Sequence, residues 1–216
     1  MPVCGSGSPH RCPSPGRRSS AVPSGNAIQL PDAQEKRPPR SLAGVLATGF
    51  GLGFAPFAPG TFGSALGVAL ALPLLGAPFP AYALVAAAIA GLAIWAAGVT
   101  QRATGRHDDG RIVIDEVAGQ IVALAPLSLA GALPPLAWVA LVVTGFVTFR
   151  LFDVWKPGPV GWAERSLPGG AGVVADDLLA GALAALVLAG GMWLLGEIGW
   201  IAAPFGSAAS EGVQIG

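Results

Sequence analysis

Residues 112–127 read IVIDEVAGQIVALAPL, an apolar run that predicts a helix entering a membrane. Two acids, Asp115 and Glu116, lie within the first turns of this helix. A carboxylate in a membrane helix is costly, so it usually faces protein or a bound ion and marks a functional position. The stretch therefore predicts a helical membrane fold and a functional site at one end of this helix.

The composition of the whole chain supports a membrane protein. Of its 216 residues, 53% are hydrophobic and only 11% are charged, whereas soluble domains carry about 25% charged residues. Residues 41–101, 117–149 and 178–196 contain no Asp, Glu, Lys, Arg or His. Because a spanning helix needs about 20 apolar residues, we expect an all-α, polytopic helical membrane protein. The formal net charge of zero gives no indication of a nucleic-acid partner.

The apolar runs divide into about five predicted spans. They are residues 61–77, 80–99, 112–130, 134–152 and 176–196. The preceding segment is short, rich in glycine and interrupted by Pro56 and Pro59, so it is expected to be a re-entrant or interfacial piece.

Three regions are expected along the chain. Residues 1–40 are rich in Pro, Ser, Gly and Arg, a composition that predicts a disordered, basic cytoplasmic arm. Residues 41–200 form the helical membrane domain, and residues 201–216 form a flexible tail.

The positive charges predict the orientation in the membrane. All twelve Lys and Arg residues lie in the arm, in the loop at 102–111 or in the segment 150–165. The positive-inside rule places these three regions in the cytoplasm. The span count agrees, because two predicted spans separate each region from the next.

The acids converge on the same side. Asp153 ends the span before the second cytoplasmic loop, and Asp176 and Asp177 begin the last span. With Asp115 and Glu116, they are expected to meet at one membrane face, where like charges repel unless a cation lies among them. Carboxylates without nearby His or Cys favour Mg²⁺ as that cation. Acids elsewhere in these loops, such as Asp109, are expected at the surface.

Four further residues are candidates for binding an anion such as phosphate. Arg150 lies three residues before Asp153, hence on the same helix face, and Lys156 follows one turn later. Thr61 and Ser64 open the first predicted span on the same side, where helix N-terminal amides and hydroxyls accept anions.

Simpler explanations exist for parts of this set. Asp153 and Lys156 could form an ordinary interfacial ion pair, and Asp176 and Asp177 could cap a helix N-terminus. Asp115 is harder to explain in that way, because it lies inside the helical pattern. The convergence of all three groups favours a functional cluster.

Four ordered motifs carry a family resemblance. They are PFAPGTFGS (56–64), HDDGRIVIDEVAG (107–119), FRLFDVWKPGPV (149–160) and GGAGVVADDLLAG (169–181). Together they resemble the phosphatidylglycerophosphatase A family of bacterial membrane lipid phosphatases, over residues 42–196. The resemblance implies Mg²⁺-dependent hydrolysis of phosphatidylglycerophosphate to phosphatidylglycerol and phosphate, in phospholipid biosynthesis.

The resemblance also implies a location and a set of site residues. The protein would lie in the bacterial cytoplasmic (inner) membrane as a multi-pass protein, with its site facing the cytoplasm. The acids of the matching motifs would be catalytic and metal-binding: Asp115, Glu116, Asp153, Asp176 and Asp177.

Two other function classes are weighed against this one. A CDP-alcohol phosphotransferase is also a Mg²⁺-dependent lipid enzyme, but its DG…AR…G…D…D pattern does not occur in this sequence. A cation-coupled transporter would need acids near the bilayer midplane, whereas these acids gather at one edge. For the phosphatase, direct attack by water and an aspartyl-phosphate intermediate both remain open.

Overall fold

The computed structural model describes residues 41–106, 109–167, 169–199 and 201. The predicted arm, 1–40, and all but the first residue of the predicted tail lie outside the described residues. The described part of the chain forms helices joined by turns and contains no strand. The all-α prediction is therefore confirmed.

Seven α-helices follow one another along the described chain. They are α1 (Leu42–Ala47), α2 (Pro59–Ala71), α3 (Phe79–Thr104), α4 (Ile114–Leu124), α5 (Pro135–Trp155), α6 (Gly158–Ser166) and α7 (Gly170–Glu197). Three short 3₁₀ turns extend or connect them, at Leu52–Phe54, Leu72–Leu74 and Ala125–Leu129.

Three of the described helices, α3, α5 and α7, are long and apolar enough to cross a membrane. They correspond to the predicted spans at 80–99, 134–152 and 176–196. Helix α2 with its 3₁₀ extension, Pro59–Leu74, is apolar but shorter. The count of about five spans is thus not confirmed, because only these three of the described helices have the length and composition of a span.

Helix α4, which begins within the acid-containing stretch 112–127, is the central element of the fold. Its 11 residues extend for only about 16 Å, about half of a bilayer core. Nine of them are buried, because α2, α3, α5 and α7 all pack around this helix. The apolar residues of α4 therefore face protein rather than lipid, and so do its acids.

Two glycines let α4 and α7 approach closely. A Cβ atom at Gly119 would collide with the carbonyl oxygen of Asp177, and one at Gly181 would collide with the carbonyl oxygen of Gly119. The two helix backbones are therefore in direct contact at this point. Since Gly119 and Gly181 lie four residues after Asp115 and Asp177, the contact is one turn deeper than those acids.

A tyrosine marks the deep end of α4. Pro126 has no backbone N–H, so the α-helical pattern cannot continue through it, and the Ala125 N–H donates to the Val122 carbonyl as a 3₁₀ turn begins. The buried Tyr82 hydroxyl of α3 donates to the Ile121 carbonyl at 2.6 Å. This bond satisfies a carbonyl that the change of helix type would otherwise leave unpaired.

Substituting Gly181 tests the close helix contact. We expect Gly181→Ala to lower the free energy of unfolding by about 1–3 kcal/mol, because its methyl group overpacks the α4–α7 contact. Gly191→Ala on the same helix is the matched control, since a Cβ there meets no atom within 4 Å. The thermal unfolding midpoint of each variant is measured in detergent. Equal midpoints for the two variants would contradict close packing at Gly181.

Candidate active site

A cavity of about 120 Å³ opens between the start of α4, the end of α5 and the first turns of α7. One water needs roughly 10–15 Å³ of such space, so the cavity has room for several waters or for a small polar group. All five predicted acids line it, together with Lys156: Asp115, Glu116, Asp153, Asp176 and Asp177. Residues far apart in sequence therefore meet in one place.

Three of these acids form the carboxylate cluster, Asp115, Glu116 and Asp177. One oxygen from each lies within 4.8 Å of the other two. Helix α4 supplies two of the side chains and α7 the third, and the glycine contact one turn deeper sets their separation. Asp115 and Asp177 are 8% and 5% exposed, so little water screens their repulsion.

The carboxylate cluster has the donor set of a metal site. Its ligand atoms are all carboxylate oxygens, which suit a hard divalent cation. The Oε2 atom of Glu116 is buried and has no hydrogen-bond partner among the described residues. Buried polar atoms normally have a partner, and a cation among the three carboxylates would provide one.

Arg150 of α5 supplies positive charge on one side of the carboxylate cluster. Its Nη1 atom donates to Asp153 Oδ2 at 2.5 Å and lies 4.0 Å from Glu116 Oε1. The predicted shared face of Arg150 and Asp153 is therefore observed as a direct ion pair. The Gly60 backbone packs against Glu116 and Arg150, so the start of α2 borders this side.

Lys156 supplies a second positive charge and lines the cavity itself. Its Nζ atom donates to Asp176 Oδ2 at 2.8 Å. Lys156 is also the C-terminal cap of α5, with φ +47° and ψ +57°, a left-handed conformation that is unfavourable for residues with a Cβ atom. The two adjacent aspartates of α7 therefore differ in their contacts: Asp177 joins the carboxylate cluster and Asp176 pairs with Lys156.

Thr61 and Ser64 occupy the first turns of α2. The side chain of Thr61 is exposed, whereas Ser64 is buried and its hydroxyl donates to the Gly60 carbonyl at 2.9 Å. Neither is among the described residues that line the cavity. Their role in binding phosphate stays a prediction.

Asp109 was expected at the loop surface, and this prediction was wrong. It is only 4% exposed, and the Arg111 guanidinium donates to both of its carboxylate oxygens at 2.8 Å. The Val113 N–H, two residues further, donates to the Ala47 carbonyl at the end of α1. These bonds fix the segment that leads into α4. An acid and an arginine two residues apart in a short turn are the sequence signal that was overlooked.

The Arg111 contact outweighs the effect of burial on Asp109. Burial favours the neutral carboxyl, but the hydrogen bonds and positive charge of Arg111 hold the pKa of Asp109 below its usual value. His107 and Asp108, the neighbouring residues of this motif, lie outside the described residues.

Comparison with known proteins identifies the family of the chain. A family model described as phosphatidylglycerophosphatase A matches residues 45–192, which include all the predicted site residues. The chain belongs to the phosphatidylglycerophosphatase A family.

Two similar proteins carry the family's name, and a third carries a different one. The chain is 37% identical to phosphatidylglycerophosphatase A of Escherichia coli (strain K12) over 154 residues, which cover 70% of this chain and 86% of the relative. It is 36% identical to the Haemophilus influenzae protein of the same name, over 67% of this chain and 85% of that protein. A Bacteroides thetaiotaomicron relative, 38% identical over 73% of this chain and 98% of its own length, is named as a candidate phosphatidylinositol-3-phosphatase. No solved structure matches the chain.

The pairing of Asp109 with Arg111 predicts a pH-dependent stability. Because the folded pKa of Asp109 lies below the unfolded value of about 3.9, the ionised group stabilises the fold above that value. The stabilisation is lost as pH falls through the folded pKa. We expect Asp109→Asn to lower the thermal midpoint at pH 7. The difference in midpoint between this variant and the unsubstituted protein should become smaller as the pH falls below 4. A constant difference between pH 3 and pH 7 would contradict this role.

Proposed function

We propose that this member of the phosphatidylglycerophosphatase A family hydrolyses the terminal phosphate monoester of phosphatidylglycerophosphate. The products are phosphatidylglycerol and inorganic phosphate, and the reaction requires Mg²⁺. The observation that carries the proposal is the carboxylate cluster in a cavity flanked by Arg150 and Lys156. It combines a cation-binding group with two positive side chains that suit a phosphate.

The carboxylate cluster would hold the metal through Asp115, Glu116 and Asp177. When bound, Mg²⁺ supplies charge neutralisation of the phosphate oxygens and a more acidic water. The residues predicted to bind the metal also include Asp153 and Asp176, which pair with Arg150 and Lys156 in the structure.

The remaining steps belong to side chains of the chain itself. Arg150 and Lys156 bind the phosphate and stabilise the charge that develops on it. A carboxylate of the cavity accepts the proton of the attacking water. We propose direct attack by water rather than an aspartyl-phosphate intermediate, because the close carboxylates are better suited to holding a shared cation than to acting singly as nucleophiles.

The proposed setting is the bacterial inner membrane, with about five spans and the cavity on the cytoplasmic side. The distribution of Lys and Arg supports this orientation. A diacyl substrate keeps its chains in the bilayer while its phosphate reaches headgroup depth, where the acids of α4 and α7 are expected. Residues 1–40 and 201–216 would be an arm and a tail outside the phosphatase domain at 41–200.

The alternatives make different demands on the chain. A CDP-alcohol phosphotransferase would need a cytidine nucleotide, and a cation-coupled transporter would release no phosphate. Phosphoinositides are the second candidate substrate class, because one relative is named as a candidate phosphatidylinositol-3-phosphatase.

Removing single carboxylates tests the proposed chemistry. We expect Asp115→Asn and Asp177→Asn to lower kcat by roughly 10²- to 10³-fold or more, because each removes a charged ligand of the cluster. Phosphate release from phosphatidylglycerophosphate is measured on purified protein in detergent, with and without Mg²⁺ and without cytidine nucleotides. Glu197→Gln, an exposed acid at the far end of α7, is the matched control and should keep full activity. Normal turnover by purified Asp115→Asn would refute the assignment.

Substrate competition tests the choice of headgroup. With equal concentrations of phosphatidylglycerophosphate and phosphatidylinositol 3-phosphate, we expect phosphate to come mainly from the former. The cavity is small, so a monoester on a linear glycerol fits it better than one on a bulky inositol ring. The lipid products are separated and quantified, and a preference for the inositol lipid would favour the second candidate.

A further inference from the structure

Adjacent residues of one helix, Asp176 and Asp177, make different contacts although both line the cavity. Successive residues of an α-helix point about 100° apart, so they need not share a partner. Asp177 contributes an oxygen to the carboxylate cluster, whereas Asp176 accepts a hydrogen bond from Lys156 at 2.8 Å. Their neighbours therefore suggest two different tasks.

Lys156 adopts a backbone conformation in which glycine is the usual residue. It caps α5 with a positive φ of 47°, and helices that end in this way usually place glycine there because it has no Cβ atom. A lysine at this position is unfavourable for the backbone, and backbone strain of this kind gathers at functional sites. Here the strain places an ammonium group at the cavity.

The surroundings of Lys156 suit a group that binds an anion reversibly. Its side chain is 34% exposed, while that of Asp176 is 7% exposed. The carboxylate is thus the fixed partner and the ammonium is the part open to the cavity. An ammonium has three donors, so it can keep its bond to Asp176 while it donates to a phosphate oxygen.

We infer that Asp176 is a positioning residue that holds the Lys156 ammonium over the cavity to bind the substrate phosphate, while the carboxylate cluster alone holds the metal. This division of roles rests on the proposed function for the identity of the phosphate. It departs from the expectation that both aspartates of α7 are metal ligands.

The same substitution at the two neighbouring positions separates the roles. Metal binding is measured by titrating the full-length protein in detergent with Mn²⁺, a spectroscopic probe for the Mg²⁺ site, in the absence of substrate. We expect Asp177→Asn to weaken Mn²⁺ binding roughly tenfold or more and Asp176→Asn to leave it unchanged. Equal weakening by both substitutions would overturn the inference.

Phosphate binding is expected to respond in the opposite way. Asp176→Asn should raise KM for phosphatidylglycerophosphate roughly ten- to a hundredfold, as expected for loss of a charge-assisted contact. The inhibition constant of inorganic phosphate should rise in parallel. Unchanged values for both constants would overturn the inference.

Substitutions of Lys156 distinguish its charge from its backbone role. Lys156→Gly and Lys156→Met both remove the ammonium, but only glycine relieves the left-handed conformation. We expect the same rise in KM for both variants and a higher thermal midpoint for the glycine variant. These variants keep the test decisive even if Asp176→Asn fails to fold, because a normal KM in both would exclude Lys156 as a phosphate ligand.

Combining substitutions tests whether Asp176 acts through Lys156. If it does, adding Asp176→Asn to Lys156→Gly should raise KM no further, whereas independent roles would multiply the two effects. The failure of the proposed function would be recognised separately, since unsubstituted protein would then bind Mn²⁺ without hydrolysing the lipid. In that case, the Mn²⁺ titrations and the binding of inorganic phosphate to the Mn²⁺-loaded protein still test the division of roles.

Discussion

The backbone contact between Gly119 of α4 and Gly181 of α7 is the constraint on which the site depends. A side chain at either position would collide with the facing backbone, so the helices could not approach as closely. One turn above this contact, Asp115 and Asp177 are brought together with Glu116. Buried carboxylates repel one another, and the packing of the glycines opposes that repulsion.

The charges around the cavity do not balance. Five carboxylates and two cations line or border the cavity, which leaves an excess of three negative charges when all are ionised. Arg150 pairs with Asp153 and Lys156 pairs with Asp176, and a divalent cation would offset most of the remaining negative charge. In the proposed function, the carboxylates of the cavity would hold the metal and the two positive groups would bind the phosphate.

The long apolar helices and the acids that line the cavity could be predicted because they depend on local composition. Helices α3, α5 and α7 follow from charge-free runs of sufficient length. The burial of Asp109 could not be predicted in this way, because it depends on a guanidinium that folds back two residues later. The short length of α4 and its burial by protein could not be predicted either, since an apolar run has the same composition whether protein or lipid covers it.

The sequence alone determined the all-helical class of the protein, its family and a set of candidate site residues, because hydropathy, charge and motif order are properties of the linear chain. The tertiary structure decided which acid meets which partner. That Asp177 joins Asp115 while Asp176 pairs with Lys156 follows from the rotation of α7 against α4 and α5. This rotation is set by close packing between helices distant in sequence, and no local pattern records it.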